Sequence, residues 1–402
     1  MKRRDFLTIS SGLTASALLK PHLWAADLPK DIRITRILAF DLPTQRMKLV
    51  GKNSRRDIHG DTSRDRMVRL FTNSGLEGLG NCRASEKELT PLLGSNPFDY
   101  FKADKPAMDS PLGTGSMPLW DLAGKALGKP AYALLGGQGA RPVPVYDGSI
   151  YFMDLLQQYA DRWQDRLKEE IDMGLARGHR AFKIKIGRGA KWMPTEEGYA
   201  RDKAVLKIIR KHAGPDVLMG VDANNGYDLA RTKRLLGDLP DIKLAFIEEM
   251  FPEEVDQYLD LKEFIKKHKL QTLIADGESQ REPKPFLPFM EAQAIDIYQG
   301  DMNRFGFEGI LTEAAMAKPH GFTVAPHNWG SLVGYYMQVH VGGAISNFYR
   351  AENDPLESET LIAEGYKIKD GSSTVPDAPG FGLKLDKKKF AATIKPKYDL
   401  KM

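Results

Sequence analysis

The sequence predicts an α/β protein built around a parallel β/α barrel of eight strands. After Pro142, short β-branched or apolar runs alternate with amphipathic stretches of helical length, which is the pattern of consecutive βα units. The runs cover residues 143–146, 181–186, 217–222, 245–249, 272–276, 294–298, 322–325 and 347–351. An open doubly wound sheet is the alternative. That fold would need a glycine-rich phosphate loop after its first strand, and Tyr146-Asp-Gly-Ser offers none.

A separate α+β unit precedes the barrel. Strand-like runs at residues 32–38 and 67–72 flank a polar, basic loop at residues 52–60, and a turn at Asn73-Ser-Gly leads into another short strand. Residues 86–140 have the pattern of helices that end at Leu134-Leu-Gly-Gly, where glycine supplies a C-cap.

The N-terminus has the features of a targeting segment. Lys2-Arg3-Arg4-Asp5-Phe6-Leu7 precedes a mildly apolar stretch that ends at Leu19, and Ala25-Ala26 follows. A basic region, an apolar region and a small-residue end are the three parts of a signal peptide, and the paired arginines resemble a twin-arginine signal. A frayed basic tail is the alternative. We therefore expect an exported, periplasmic protein, with no membrane span in the mature chain.

Composition excludes several other classes. The 402 residues are 42% hydrophobic and 28% charged, which is typical of a soluble globular enzyme. The net charge is +5, and residues 1–26 contribute three of those charges, so global charge gives no case for nucleic-acid binding. Cys82 is the only cysteine, which excludes an intramolecular disulfide and a cysteine-based metal cluster.

Polar side chains follow the carboxyl ends of the predicted barrel strands. Successive members of this set lie 23 to 37 residues apart, which is about one βα unit each. In a barrel these strand ends meet at one mouth, where barrel enzymes carry out their chemistry. The set comprises Lys185, Asp222, Glu248, Glu278, Asp301, His327 and Glu352.

Three of these residues predict a metal site. Asp222, Glu248 and Glu278 would bring three hard oxygen ligands from adjacent strands, a set that suits Mg²⁺. A single acid in such a position is more often a surface or helix-capping carboxylate, but three buried together need a cation. Asp276 competes with Glu278 for the third position, because both lie in Ile274-Ala-Asp-Gly-Glu-Ser.

The remaining residues predict acid–base chemistry. Lys183 and Lys185 lie two apart, so both point into the barrel, and two ammonium groups near a divalent cation should lower each other's pKa. Asp301 and His327 follow neighbouring strands, so we expect a hydrogen bond between the carboxylate and the imidazole. That bond would fix the tautomer of the His327 ring. Glu352 would donate a hydrogen bond to a substrate carboxylate if it were protonated. Mg²⁺ would stabilise the enediolate that forms when a proton is removed beside that carboxylate.

At these residues the sequence resembles the enolase superfamily, and within it the mandelate racemase and muconate lactonizing enzyme-like family. Lys183-Ile-Lys185 is similar to the family's Lys-x-Lys motif, and Asp301 with His327 to its racemase-type dyad. Glu352 is similar to the last-strand glutamate. The family's metal-ligand segments have their counterparts here in Val221-Asp-Ala-Asn-Asn, Ile247-Glu-Glu and Gly277-Glu278, which look similar to them. The segment that joins cap to barrel in the family resembles Trp120-Asp-Leu-Ala-Gly-Lys-Ala-Leu-Gly-Lys-Pro of this chain.

The resemblance implies a modified (β/α)8 barrel, (β/α)7β, in residues 141–355, with an α+β capping domain in residues 27–140. Residues 356–402 would complete the cap, and residues 1–26 would be the signal peptide. It also implies a symmetric homo-oligomer and a cap that contacts the substrate. The substrate-binding residues expected on this basis are Lys52, Arg55, Arg56, His59, Arg83, Asn224 and Trp329.

The first functional hypothesis is a Mg²⁺-dependent dehydratase of the mandelate racemase subgroup that acts on a sugar acid. Lys185 or His327 would take the proton beside the carboxylate, and His327 would help to expel the β-hydroxyl. Racemisation or epimerisation of a 2-hydroxy acid is the alternative, since two opposed bases also support it. A muconate-type cycloisomerase fits less well, because such sites place a second lysine where His327 stands. A non-catalytic periplasmic barrel that only binds a carboxylate ligand is the hypothesis from another class.

Overall fold

The computed structural model describes residues 27–102 and 108–402, so the targeting segment predicted at residues 1–26 lies outside the described residues. The chain begins with an antiparallel sheet and three helices. Strand β1 pairs with β2, and β2 pairs with β3. These elements are β1 (Ile34–Val50), β2 (Gly60–Thr72), β3 (Glu77–Asn81), α1 (Glu86–Leu89), α2 (Met117–Leu127) and α3 (Ala131–Leu134).

Eight parallel strands and seven connecting helices follow in the described part of the chain. The strands are β4 (Val143–Ile150), β5 (Ala181–Lys185), β6 (Leu218–Asp222), β7 (Phe246–Glu248), β8 (Leu273–Asp276), β9 (Ile297–Tyr298), β10 (Thr323–Val324) and β11 (Ala351–Asn353). The helices are α4 (Trp163–Ala176), α5 (Thr195–Ala213), α6 (Leu229–Asp238), α7 (Val255–Lys267), α8 (Leu287–Glu291), α9 (Met302–Ala317) and α10 (Leu332–Ala344).

The strands close into a barrel. β4 to β10 pair in chain order, and β11 pairs in parallel with β4. The circle closes just before β11, where the Val324 N–H donates to Asn347 O at 2.9 Å and the Tyr349 N–H donates to Val324 O at 2.8 Å. This is the (β/α)7β arrangement that the family resemblance implied. The last predicted run, at residues 347–351, begins earlier than β11, because residues 347–349 pair with a barrel strand through a single bridge, between Phe348 and Val324.

The C-terminal segment returns to both parts of the molecule. Its elements are β12 (Leu356–Glu357), β13 (Leu361–Ala363), β14 (Ile368–Lys369), β15 (Ser372–Ser373), β16 (Leu383–Leu385), α11 (Lys387–Thr393) and β17 (Tyr398–Lys401). Strands β12 and β17 pair antiparallel with β1 and so extend the N-terminal sheet. Strand β15 instead pairs with β4 of the barrel, so the tail also contacts the barrel.

Strand β5 shows how the barrel positions polar side chains. Phe182 and Ile184 belong to the apolar core shared with Leu167 and Ile171 of α4. Because side chains alternate along a strand, the two lysines of β5 point to the opposite face, into the barrel. Among the helices of the described ranges, none combines the length and the apolar character that a membrane crossing requires.

Candidate active site

Strand register brings the predicted polar residues together at the carboxyl ends of the strands. Lys185 pairs with Asp222 between β5 and β6, and Asp222 pairs with Glu248 between β6 and β7. Across the mouth, a parallel bridge joins Asp301 to His327. Each of these residues ends a strand or lies within three residues of a strand end, so the closure of the barrel brings distant sequence positions into one site.

Three carboxylates form the centre of this site. Asp222, Glu248 and Glu278 each offer one oxygen, and these oxygens lie within 4.8 Å of one another. Asp222 and Glu248 are fully buried. Carboxylate oxygens grouped in this way are the ligands that Mg²⁺ prefers.

Asp276, the other candidate for the third position, points away from this cluster. Its carboxylate accepts a hydrogen bond from the Tyr258 hydroxyl, and its Oδ1 accepts one from the Gly277 N–H at 2.7 Å. Gly277 has a φ of 128°, which breaks the alternation of a strand, so Asp276 and Glu278 do not point the same way. Glu278 is therefore the member of the three-carboxylate cluster.

The charge balance of the site fits a divalent cation. The carboxylates outnumber the cationic side chains, so the site carries an excess of negative charge that a divalent cation would offset. Burial raises the pKa of Glu248 well above its ordinary value, and the carboxylates of Asp222, Glu352 and Glu278 raise it further. The groups counted are the carboxylates of Asp222, Glu248, Glu278, Asp301 and Glu352, and the cations of Lys183, Lys185 and His327.

The two lysines contact different carboxylates. Lys183 Nζ lies 2.5 Å from Glu248 Oε1, 2.8 Å from Glu352 Oε1 and 3.4 Å from Asp222 Oδ2. Lys185 Nζ contacts Asp222 Oδ2 and donates to Asn224 Oδ1 at 2.9 Å. Lys183 is therefore enclosed by acids, whereas Lys185 lies on one edge of the cluster.

The direction predicted for the lysine pKa values is opposite to the one found. Burial lowers the pKa of Lys185, but the Asp222 carboxylate raises it more, so that the net pKa is raised. For Lys183, burial is likewise outweighed by the carboxylates of Glu248 and Glu352. The prediction considered only the two ammonium groups and a cation, and it left out the acids in contact with them.

His327 lies between two carboxylates. Its Nδ1 is 2.7 Å from Asp301 Oδ2, the contact that the sequence predicted, and its Nε2 is 3.1 Å from Glu278 Oε2. Burial lowers the pKa of His327, but the carboxylates of Glu278, Glu352 and Asp301 raise it to about 10. The imidazole is therefore protonated at neutral pH, and it lies beside the three-carboxylate cluster.

Glu352 differs from its predicted role as a hydrogen-bond donor. Burial raises its pKa, but Lys183, His327 and the Asn328 N–H lower it below its ordinary value. Its Oε2 accepts from the Asn328 N–H at 2.7 Å while its Oε1 contacts Lys183. Glu352 is thus an ionised acceptor, because a buried ammonium group lies against it.

Sequence reasoning missed three side chains of the site. Gln299 Nε2 donates to Glu248 Oε2 at 2.7 Å. Glu249 accepts from Asn224 at 3.0 Å and from Ser279 at 3.1 Å, and burial raises its pKa to about 7. Tyr151 follows β4, and the Lys185 Nζ lies 5.2 Å from its ring centroid. Their positions after β9, β7 and β4 were the signal that could have identified them.

The predicted substrate-binding residues divide into two groups. Asn224, His59 and Trp329 lie at the site: Asn224 contacts Lys185, and the Trp329 ring stacks on Tyr151 with centroids 4.7 Å apart. The other four have other partners or face solvent. Lys52 pairs with Asp57 at 3.0 Å, and the Arg55 O accepts a hydrogen bond from Lys191 Nζ. Arg56 and Arg83 are exposed, and the charge of Arg83 helps to lower the pKa of Asp301.

Comparisons with known proteins assign the family. Residues 166–389 match the family described as enolase C-terminal domain-like. The chain is 32% identical over 272 residues to arabinonate dehydratase of Saccharolobus solfataricus, covering 66% of this chain and 67% of that protein. It is 27% identical over 284 residues to D-galactarolactone cycloisomerase of Agrobacterium fabrum, covering 67% of this chain and 70% of that protein.

A solved structure gives the same assignment over nearly the whole length. Galacturonate dehydratase from Geobacillus sp., in complex with D-galacturonate and 5-keto-4-deoxy-D-galacturonate, superposes with a TM-score of 0.83 at 31% identity. The match covers 92% of this chain and all of that one. The chain therefore belongs to the enolase superfamily, and it is an enzyme of the group that contains the mandelate racemase-like proteins and the acid-sugar dehydratases.

Proposed function

We propose that this enzyme removes water from a sugar acid to give a 2-keto-3-deoxy acid, with Mg²⁺ as its cofactor. One observation supports this best: a lysine and a protonated histidine contact the same three-carboxylate cluster through different members. Lys185 contacts Asp222, and His327 contacts Glu278. Dehydration needs a base at one carbon and an acid at the next, and this arrangement supplies both.

The proposed metal site consists of Asp222, Glu248 and Glu278. Mg²⁺ bound there would supply positive charge opposite the negative charge that develops on the substrate carboxylate. Gln299 Nε2 donates a hydrogen bond to Glu248 Oε2, and this bond would orient the Glu248 carboxylate as a metal ligand. A structure of a related protein from Geobacillus sp., 31% identical with a TM-score of 0.84 over 91% of this chain and 96% of that one, holds magnesium and tartrate.

The chain's own residues divide the proton transfers. Lys185 is the proposed base: after its ammonium proton has passed to solvent, the neutral Nζ accepts the proton beside the substrate carboxylate. Its ammonium is stabilised by Asp222, which is itself a proposed metal ligand. The raised pKa of His327 favours its protonated form, in which Nδ1–H donates to Asp301 and so fixes the ring. The Nε2 proton is therefore available for the hydroxyl that leaves as water.

Racemisation or epimerisation is the second candidate. It is favoured by the same observation, because a base on one side and an acid on the other can also invert the carbon without loss of a hydroxyl. The two reactions differ in their products, so one experiment separates them.

The test is a screen of the protein with Mg²⁺ in D₂O against a library of acid sugars, followed by NMR. A 2-keto product that disappears when a chelator is added would support the dehydratase and identify its substrate. Deuterium uptake beside the carboxylate without keto product would replace the dehydratase with a racemase or epimerase. Binding without either signal would favour a protein that only holds its ligand.

We also propose that the protein is exported by the twin-arginine route. The basic start, the apolar stretch and the paired arginines of residues 1–26 support this proposal. Cell fractionation of the full chain tests it, with Arg3→Lys and Arg4→Lys together as the variant. Export of the variant at the wild-type level would overturn the proposal.

A further inference from the structure

A chain of hydrogen bonds connects four consecutive strands along one side of the barrel mouth. Lys185 Nζ donates to Asn224 Oδ1 at 2.9 Å, and Asn224 Nδ2 donates to Glu249 Oε2 at 3.0 Å. The Ser279 hydroxyl donates to the other carboxylate oxygen, Glu249 Oε1, at 3.1 Å. These residues end or follow β5, β6, β7 and β8. Glu249 is buried and lies in the middle of the chain of hydrogen bonds.

The backbone at Asn224 and Glu249 has a conformation that residues other than glycine rarely adopt. Their φ values are 44° and 41°, and the neighbouring Asn225 has a φ of 57°. The Asn225 N–H donates to the Glu249 carbonyl at 2.6 Å, so the loops after β6 and β7 are joined through the backbone as well. Asparagine tolerates this left-handed conformation better than glutamate does, which makes Glu249 the unusual member. Backbone strain of this kind clusters at functional sites, which points to a role for Glu249.

The contact with Glu249 sets the orientation of the Asn224 side-chain amide. A lysine ammonium only donates, so it needs the amide oxygen, and the amide nitrogen must then donate elsewhere. Glu249 Oε2 is the acceptor that this nitrogen reaches. Without it, the buried amide would either leave an N–H group without a partner or flip and present its N–H groups to Lys185. Glu249 therefore determines which end of the amide faces the lysine.

Asn224 is important to Lys185 because the other polar contact of this lysine is a proposed metal ligand. Lys185 Nζ contacts Asp222 Oδ2, while Asp222 Oδ1 accepts from the Asn224 N–H at 2.8 Å. Within the described ranges, Asn224 provides the one hydrogen-bond acceptor of Lys185 Nζ that lies outside the three-carboxylate cluster. Its amide oxygen therefore fixes the direction of Nζ independently of that cluster.

We propose that Glu249 is a positioning residue for the proposed base: it holds the Asn224 amide in the orientation that fixes Lys185 Nζ at the edge of the carboxylate cluster. Glu249 acts through Asn224, because its own hydrogen bonds go to Asn224 and Ser279. The role of Lys185 as the base rests on the proposed function, whereas the connection from Glu249 to Lys185 does not.

Three variants separate this positioning role from a purely structural one. Glu249→Ala removes the acceptor, whereas Glu249→Gln keeps a carbonyl oxygen that can accept from Asn224 Nδ2. Glu253→Gln is the matched control. Glu253 also follows β7 and also joins that loop to the loop after β8, but it does so by accepting from Gln280 and not from Asn224. Thermal unfolding verifies that each variant is folded.

The first measurement needs no substrate. NMR of ¹⁵N-labelled lysine side chains, with Mg²⁺ present, follows the Nζ resonance of Lys185, which is assigned by its loss in Lys185→Ala. We expect Glu249→Ala to shift this resonance, Glu249→Gln to leave it close to the wild-type position, and Glu253→Gln to leave it unchanged. In the Asn224→Ala background, Glu249→Ala should cause no further shift, because the effect of Glu249 is transmitted through Asn224.

The second measurement is the rate at which the proton beside the carboxylate exchanges in D₂O, with saturating Mg²⁺, across the same library of acid sugars. Glu249→Ala should lower kcat for this exchange about tenfold, the loss typical when a partner that orients an active-site group is removed. KM should change much less, because the substrate still binds the same groups. Glu249→Gln should recover most of the rate.

Two results would overturn the positioning role. An unshifted Lys185 resonance in Glu249→Ala is the first, and equal losses in the Gln and Ala variants, which would assign the effect to the charge of Glu249, are the second. If the Ala variant does not fold, Glu249→Asp replaces it, since it keeps the charge but withdraws the oxygens from Asn224, and it should shift the Lys185 resonance.

These outcomes are distinguishable from failure of the proposed function. If no acid exchanges its proton with the wild type, the dehydratase and racemase proposals both fail, and the lysine resonance still decides the role of Glu249. Dehydration by the wild type together with an unshifted lysine resonance in Glu249→Ala would do the reverse.

Discussion

The indole Nε1–H of Trp329 donates a hydrogen bond to Nδ1 of His59 at 3.1 Å. A neutral imidazole that accepts at Nδ1 carries its proton on Nε2. Burial, together with the positive charges of Lys185, Arg46 and Arg56, lowers the pKa of His59 to about 4. The buried Nε2 has no partner among the described residues. His59 therefore presents a fixed N–H donor near Lys185, where a substrate oxygen can accept it.

His59→Phe keeps a ring but removes this donor. We expect KM for the sugar acid to rise roughly tenfold, the value of one lost hydrogen bond, while kcat changes less. His59→Gln, which can still donate, should restore part of the affinity. Steady-state kinetics of the two variants and the wild type measures this. Equal KM values for the Phe and Gln variants would show that the donor does not contact the substrate.

Lys185→Ala should abolish turnover while the protein still binds Mg²⁺. The proposed base is lost, which costs on the order of 10²- to 10⁴-fold in kcat. The three carboxylates remain in place, and removal of the neighbouring ammonium leaves more negative charge for the cation. Calorimetric titration with Mg²⁺ and a product assay measure the two effects. Wild-type activity in the variant would remove Lys185 from the mechanism.

Glu278→Gln and Asp276→Asn form a matched pair at positions two residues apart. The first removes a carboxylate of the cluster, and we expect it to weaken Mg²⁺ binding by about 100-fold or more. The second changes a carboxylate that contacts Tyr258 instead, so Mg²⁺ affinity should change much less. The Kd for Mg²⁺ decides between them. A larger loss in the aspartate variant would reverse the assignment of the third ligand.

The barrel and most of the site were predictable from sequence because both depend on local rules. Apolar runs of strand length predicted the strands. The polar residues at the carboxyl ends of those runs predicted the site residues Lys185, Asp222, Glu248 and His327. Closure of the barrel then brings those positions together whatever the connecting helices are. The sequence favoured Glu278 over Asp276, and the carboxylate cluster agrees, but the physical reason, the backbone turn at Gly277, was visible only in the structure.

Properties that depend on contacts between distant segments were not predictable. The ionisation of Glu352 depends on Lys183 from another strand. Arg66 of the N-terminal sheet and Arg281 of the barrel line the same cavity, and no spacing in the sequence indicates that these two residues lie near each other. Likewise, the tautomer of His59 depends on Trp329, which is 270 residues away in the chain.

The burial of Glu313 is expected to make the free energy of unfolding depend on pH. It is fully buried, its Oε1 accepts from the Gly300 N–H at 3.0 Å, and its Oε2 has no partner in the described part of the chain. Burial raises its pKa to about 8, although the Gly300 N–H lowers it somewhat. In the unfolded chain a glutamate has a pKa of about 4.3. Between these values the folded state holds a proton that the unfolded state has lost, so the free energy of unfolding falls as pH rises.

Glu313→Gln removes this titration and keeps an oxygen for the Gly300 N–H. Near pH 4 the variant and the wild type should be about equally stable, because the carboxyl is protonated in both states. As pH rises towards 8, the variant should become the more stable of the two, by an amount on the order of a few kcal/mol. Thermal unfolding at several pH values measures the difference in Tm, with the exposed Glu291→Gln as the control. A difference that does not change with pH would mean that Glu313 is ionised in the folded protein, and that a cation or water satisfies its Oε2.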